Sequence, residues 1–167
     1  MRGRGAHAPR PRRALLALLL LVPAPAAGLA QTTGSLTARA SVIAALTVAG
    51  TTDLAFGNVA PTSSKVVAAR NGGRFSVNGV ASQPISVSFA LPSNLGNPAV
   101  AIGSWTGLWG TVPGVGAAVA FVPAGPPRTF TLSAGGRLFF WIGATLTTTA
   151  APIGSYTSPL TLTVVYN

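Results

Sequence analysis

An all-β, two-sheet sandwich is the fold this sequence predicts, and three observations predict it. Apolar and polar residues alternate with a period of two through most of the chain. Gly, Pro and Asn punctuate that alternation at short intervals. No stretch combines a helical period with helix caps. Many short strands divided by turns point to an immunoglobulin-like Greek key of about seven to nine strands, here without the cysteine–tryptophan hallmark of antibody domains.

The chain opens on a segment that is not expected to belong to that sandwich. "MRGRGAHAPRPRR" holds five arginines and no acid, "ALLALLLLV" is apolar from Ala14 to Val22, and "PAPAAGLA" supplies small residues before Gln31. A basic start, a short apolar run and a small-x-small site make a secretory signal, cut after Ala30. The apolar run falls short of the roughly 20 residues that span a bilayer. Arg12-Arg13 would suit a twin-arginine route, but the rest of that motif is missing. The expected organisation is therefore residues 1–30 as a removed signal and residues 31–167 as one β-sandwich domain with no transmembrane segment, exported to the periplasm, the cell surface or the medium.

The strands follow in order. In "SLTARASVIAALTVAG", Leu36, Ala38, Ala40, Val42, Ala44, Leu46 and Val48 share one parity. The run is long for one strand, usually about 5–6 residues, and could serve two pairings in succession. "DLAFGNV" puts Leu54 and Phe56 in phase, with Gly57 marking a bulge or a close backbone approach. "SKVVAAR" reads as a short edge strand and "NGG", Asn71 to Gly73, as a turn. "RFSVNGV" turns Phe75 and Val77 to one side, and "PISVSFALP" turns Ile85, Val87, Phe89 and Leu91. A short strand is expected from Val100 to Trp105 and another from Ala117 to Val122, inside an irregular middle where Pro123 to Pro127 block a continuous strand. "RTFTLS" sends Phe130 and Leu132 inward, and "GRLFFWIGATLT" is apolar on both faces through Phe139 and Trp141. "GSYTSPLTLTVVYN" closes the chain with Tyr156, Leu160, Leu162, Val164 and Tyr166 in one phase.

Composition narrows function more than any motif does. The single histidine, His7, lies in the signal, and the chain has no cysteine and one acid, Asp53. Protein zinc sites draw on Cys, His, Asp and Glu. A Ser-His-Asp relay needs a histidine, and paired-carboxylate hydrolysis needs two acids. Lys65 follows Ser63-Ser64, but a lysine in a turn-rich stretch reads as a solvated residue. No catalytic residue, metal site or cofactor is expected, and the protein reads as a non-enzyme. After the signal, Arg39, Lys65, Arg70, Arg74, Arg128 and Arg137 stand scattered against Asp53. Scattered cations are not a basic stripe, so no nucleic acid is expected, whereas weak attraction to anionic polysaccharide fits the positive balance.

Two features carry the functional expectations. Trp105 and Trp109 fall in the irregular middle and are candidate surface aromatics that could stack on sugar rings, while Trp141 is expected to pack. The other feature is the closing strand. The segments "ARASVIAALTVAGTTDLAFGNVAP", "RFSVNGVASQPISVSFALPS" and "GRLFFWIGATLTTTAAPIGSYTSPLTLTVVYN" resemble an exported bacterial family, domain-of-unknown-function family 4402, over nearly all of the chain after the signal. The order of features is also similar to that of chaperone–usher pilin and spore-coat-U-like subunits. Gly154 is the fourteenth residue from the end and Tyr166 the penultimate, as in the terminal strand of pilins.

The resemblance implies an incomplete sandwich, filled first by a periplasmic chaperone and then by the N-terminal extension of a partner subunit through β-strand addition. On that reading residues 31–43 are a donor strand with knobs Leu36, Ala38, Ala40 and Val42, and the terminal assembly strand presents Gly154, Tyr156, Leu160, Leu162, Val164 and Tyr166. Many pilins carry a cysteine near the place of Leu46, which this chain lacks, and alanines are small knobs. The alternatives at this stage are a pilin- or coat-like subunit assembling by strand exchange, a self-complete sandwich whose own first strand is Leu36 to Val48, and a secreted module that binds surface or matrix polysaccharide through its tryptophans.

Overall fold

The structure, a computed structural model, describes residues 45–167. These residues lie within one compact unit, Ala40–Asn167. The predicted signal, residues 1–30, and the knobs Leu36, Ala38, Ala40 and Val42 fall outside the described residues.

The described residues form an all-β sandwich of nine strands: β1 (Thr47–Thr52), β2 (Ser63–Val67), β3 (Gly73–Asn78), β4 (Pro84–Ala90), β5 (Val100–Gly110), β6 (Val119–Phe121), β7 (Arg128–Thr131), β8 (Arg137–Thr148) and β9 (Thr161–Tyr166). One sheet runs β1-β3-β8-β5-β6, with β2 also on β8, and the other runs β7-β4-β9. Every pair is antiparallel.

β8 is the spine because its length lets it hold three neighbours. Its first half pairs with β3, from Asn78↔Arg137 to Gly73↔Ile142, and its second half pairs with β2, from Val67↔Ala144 to Ser63↔Thr148. β5 runs along the other edge. Leu138, Phe140, Ile142, Ala144 and Leu146 point inward and are all buried, as their shared parity predicts. Phe139 and Trp141, on the opposite face, are also buried, at 8% and 4% exposure, with their rings 6.2 Å apart.

The core has two parts. One gathers Val77, Ile85, Val87, Phe130, Leu132, Leu138, Phe140 and Leu162. Its centre is aromatic: Phe140 meets Phe89, Phe121 and Phe130 at 5.6, 5.8 and 5.1 Å, each near edge-to-face, the arrangement ring quadrupoles favour. The second part gathers Phe56, Val100, Ile102, Ala144, Leu146 and Ala151, with Leu54, Trp105 and Tyr156 packed against it.

Four local expectations are corrected. The strand expected over Val100 to Trp105 continues to Gly110, so "WTGLWG" is sheet rather than loop. It does so through a bulge between Gly103 and Thr106, where Ser104 adopts φ 46° and the strand keeps pairing with β8 on both sides. Gly107 belongs to this strand because a Cβ there would sit 2.5 Å from the Phe121 ring.

"NGG" is not a hairpin turn. A 3-10 turn, Ala69–Asn71, steps the chain from β2 to β3, which lie end to end along β8 and do not pair with each other. Gly72 is required at that step, since a Cβ would overlap the Ile142 carbonyl oxygen. "DLAFGNV" forms no strand: Phe56 is buried by the second core, and Gly57 turns the chain at φ 62° instead of bulging a ladder. The strand expected from Ala117 to Val122 is shorter, Val119–Phe121.

The strand order is that of an immunoglobulin-type sandwich in its first six positions. β1, β3, β8 and β5 stand where A, B, E and D stand, and β4 and β9 where C and F stand. In that architecture a G strand follows on the far side of F. Among the described residues nothing occupies that place beside β9.

Candidate assembly groove

β9 exists because "TLTVVY" alternates and is rich in β-branched residues. Its register on β4 sets Leu162 opposite Phe89, Val164 opposite Val87 and Tyr166 opposite Ile85, all facing the core. The intervening Thr163 and Val165 face outward with Ser88 and Ser86. The shared phase of Leu162, Val164 and Tyr166 is therefore the inward face. Its burial is uneven, however: Leu162 is buried, while Leu160, Val164 and Tyr166 are only half-buried.

The reason lies at the edge. β9 bonds to β4 on one side only, and its other backbone edge pairs with no described residue. Across the sandwich the facing border is β1, which among the described residues pairs only with β3. β1 and β9 approach each other without hydrogen-bonding. Val48 pairs with the fully buried Val77 and so lies on the inner face, yet it is 39% exposed. The next inward position is Gly50, opposite Phe75, which brings no side chain to fill the gap. Two sheet borders thus leave an apolar groove between them.

The two ends of the groove differ. At one, Leu46 before β1 meets Tyr166 at the end of β9. A Cβ on Gly79 would lie 2.5 Å from the Tyr166 hydroxyl and 2.9 Å from Leu132 and Leu46, so this end is closed. The Val80 N–H donates to the Tyr166 hydroxyl at 2.8 Å, fixing the last strand to the β3–β4 loop. At the other end a cleft of about 490 Å³ opens between Leu54, Phe56, Phe75, Trp105, Tyr156 and Leu160, with Thr52 and Asp53 also on its wall. The Tyr156 hydroxyl donates to the Pro152 carbonyl at 2.6 Å, which orients the ring.

The sequence-derived residues divide as follows. Tyr156, Leu160, Leu162, Val164 and Tyr166 come together along one wall of the groove. Gly154 is exposed in the segment before β9, beside the Tyr156 ring. Trp105 is half-buried and lines the wide cleft. Trp109 is half-buried on the first core, its ring 5.3 Å from Phe130. The bulge at Gly103/Thr106 explains why both indoles turn to the interior. Leu54, Phe56, Phe75, Ile102 and Asp53 also line the cleft, though the sequence did not mark them as site residues. The in-phase Leu54 and Phe56 marked an inward face, but not which space it would border.

Chemically, the groove offers the edge of β9 that pairs with no strand among the described residues, beside alternating apolar recesses. That is the surface an added strand uses: main-chain bonds for affinity, alternate side chains for selectivity. Unpaired edges are otherwise shielded by charge, proline or a bulge, and β9 has none of these within its six residues. Among the described residues no helix is long and apolar enough to cross a membrane. The chain matches no protein-family model, and no curated protein or solved structure was found to match it.

Proposed function

We propose that this protein is an exported, non-catalytic structural subunit of a surface appendage or coat, whose sandwich is completed by a strand from another chain. The observation that carries the reading is that, among the described residues, no strand pairs with the far edge of β9, next to the half-filled space between β9 and β1. The place is that of the seventh strand of an immunoglobulin-type sandwich. The resemblance to pilin-like subunits, carried by Gly154, Tyr166 and the alternating start of the chain, points the same way. In this reading a periplasmic chaperone guards the groove until residues 31–43 of a second copy enter it, with Leu36, Ala38, Ala40 and Val42 turned to the core.

The chain's own residues 31–43 are poor occupants of their own groove. To lie between β1 and β9 they would have to reverse direction just before Thr47, and Ser35 to Ala49 contains no Gly, Pro, Asn or Asp. Those are the residues that tight hairpins require. Light scattering tests the proposal: protein from Gln31 forms oligomers that grow with concentration, and protein from Ile43 stays monomeric. A monomeric, fully stable protein from Gln31 would overturn it.

A second reading, polysaccharide binding, is favoured only by the cleft wall, where Trp105 and Tyr156 stand near Asp53, Thr52 and Thr157. Quenching of tryptophan fluorescence by an added polysaccharide, lost in Trp105→Phe, would support it over strand addition.

A further inference from the structure

Among the described residues, four aromatic side chains from four separate segments line the wide cleft. Phe56 comes from the segment after β1, Phe75 from β3, Trp105 from β5 and Tyr156 from the segment before β9. Phe56 is buried, whereas Phe75, Trp105 and Tyr156 are half-buried. Three partly exposed rings around one space leave apolar area for a ligand to cover, and about 490 Å³ lies within the roughly 300–1,000 Å³ of small-molecule pockets. Trp105 is there because of the bulge. Strict alternation from the buried Ile102 would turn Ser104 inward and Trp105 outward; the bulge, with Ser104 at φ 46°, reverses that. The Tyr156 hydroxyl already donates to the Pro152 carbonyl, which leaves the ring as the main group it offers.

Asp53 stands on the same wall. A Cβ on Gly73 would lie 3.2 Å from the Leu54 amide nitrogen, so the chain just after Asp53 is held against the start of β3, two residues from Phe75. Asp53 is exposed and is the only acid in the chain. It makes no ion pair or hydrogen bond with another described residue. No lysine or arginine is among the described residues that line the cleft. Arg74, which pairs with Thr52 across the β1–β3 ladder, has its Nε donating to the Thr51 hydroxyl at 2.8 Å. The one negative side chain therefore shares a cleft with the four rings.

Both features select the same chemistry. The π face of a ring attracts a cation, and so does a carboxylate. A neutral ligand would use only the apolar wall, and an anion would be repelled. A bare metal ion is not the match, because calcium takes six to eight oxygens and Asp53 brings one carboxylate.

We propose that the cleft binds an organic cation, a carbon-rich ammonium group whose apolar body lies against Phe75, Trp105 and Tyr156 and whose charge faces Asp53. The site goes beyond strand exchange and does not depend on it, since every residue it uses belongs to one chain. An exposed charge pair adds at most about fivefold to affinity, and a cation over a partly exposed ring adds a similar factor.

The test titrates the full chain, purified after export, with benzyltrimethylammonium, neutral benzyl alcohol and anionic benzoate, and reads dissociation constants by calorimetry. Circular dichroism confirms that each variant is folded, and light scattering records the oligomeric state of the same samples. The cation is expected to bind saturably and about fivefold or more tighter than benzyl alcohol, with benzoate weakest. Asp53→Asn, an exposed change, should cost the cation about fivefold and leave the alcohol unaffected. Trp105→Leu should weaken both. Arg137→Gln, exposed and outside the cleft, should alter neither. The proposal is overturned if the cation does not bind saturably, if it binds no better than the alcohol, if its preference survives Asp53→Asn, or if Trp105→Leu has no effect. Strand exchange is judged separately, by the oligomers that light scattering records.

Discussion

Val164 offers a direct way to ask whether the groove is filled in the assembled protein. Val164→Ala removes two carbons from the inward face of β9. Burial of each is worth about 0.8 kcal/mol when complete, so the full cost is about 1.6 kcal/mol. In the open domain the side chain is half-buried on a strand whose far edge pairs with no described strand, and roughly half of that, about 0.8 kcal/mol, is at stake. If a strand covers the groove, the cost rises to the full value. At about 3–5 °C per kcal/mol for a domain of this size, the melting point falls by about 3 °C in the open form and about 6 °C in the filled form. Val165→Ala is the matching control, since Val165 is 54% exposed on the outer face and suffers the same loss of strand propensity. The assay is thermal unfolding of protein from Ile43, with and without a saturating Gln31–Val42 peptide. An equal cost of Val164→Ala in both conditions, or a larger cost for Val165→Ala, would refute the reasoning.

Other consequences concern the frame of the groove. Thr148 is buried and accepts the Ser63 N–H at 3.0 Å while its hydroxyl lies 2.7 Å from the Ala60 carbonyl. Isosteric Thr148→Val should lower stability in urea titration by about 1–3 kcal/mol, because it strands the Ser63 N–H and leaves the Ala60 carbonyl only the Ser63 hydroxyl at 3.1 Å, and Thr148→Ser should cost less. Gly72→Ala drives a Cβ into the Ile142 backbone; loss of the cooperative unfolding transition is expected, whereas Gly125→Ala, in open space despite φ 117°, should remain folded. Donor peptide should shift tryptophan emission to the blue through Trp105 at the cleft, and Trp105→Phe should abolish the shift. Trp141→Phe, in a residue that is only 4% exposed, should leave it intact.

The sequence made the sandwich legible wherever one face of a strand is apolar and the other polar. β4, the inward side of β8 and β9 could be read residue by residue, because a period of two has only one way to meet a core. It failed where tertiary pairing overrode local signals. "WTGLWG" looks like loop because of its glycines, yet one of them, Gly107, admits the Phe121 ring and the sheet continues. "NGG" carries hairpin chemistry, but β8 is long enough to accept β2 and β3 in tandem, and the turn became a step along one strand's edge. Of the groove, the Tyr156-to-Tyr166 wall was legible from its phase. The opposite wall was not, because Leu54, Phe75 and Ile102 come from separate segments, and only the fold brings them to one cleft.

The central claim is that the space between β9 and β1 receives a strand from another chain. The most direct test adds the Gln31–Val42 peptide to protein that begins at Ile43 and follows the melting temperature as peptide is titrated. The account predicts a saturable rise in melting temperature, absent with a peptide of the same composition in scrambled order, and heat-resistant oligomers only in protein that keeps residues 31–42. No rise, with both forms stable and monomeric, would show that the sandwich is complete in itself and would contradict the account.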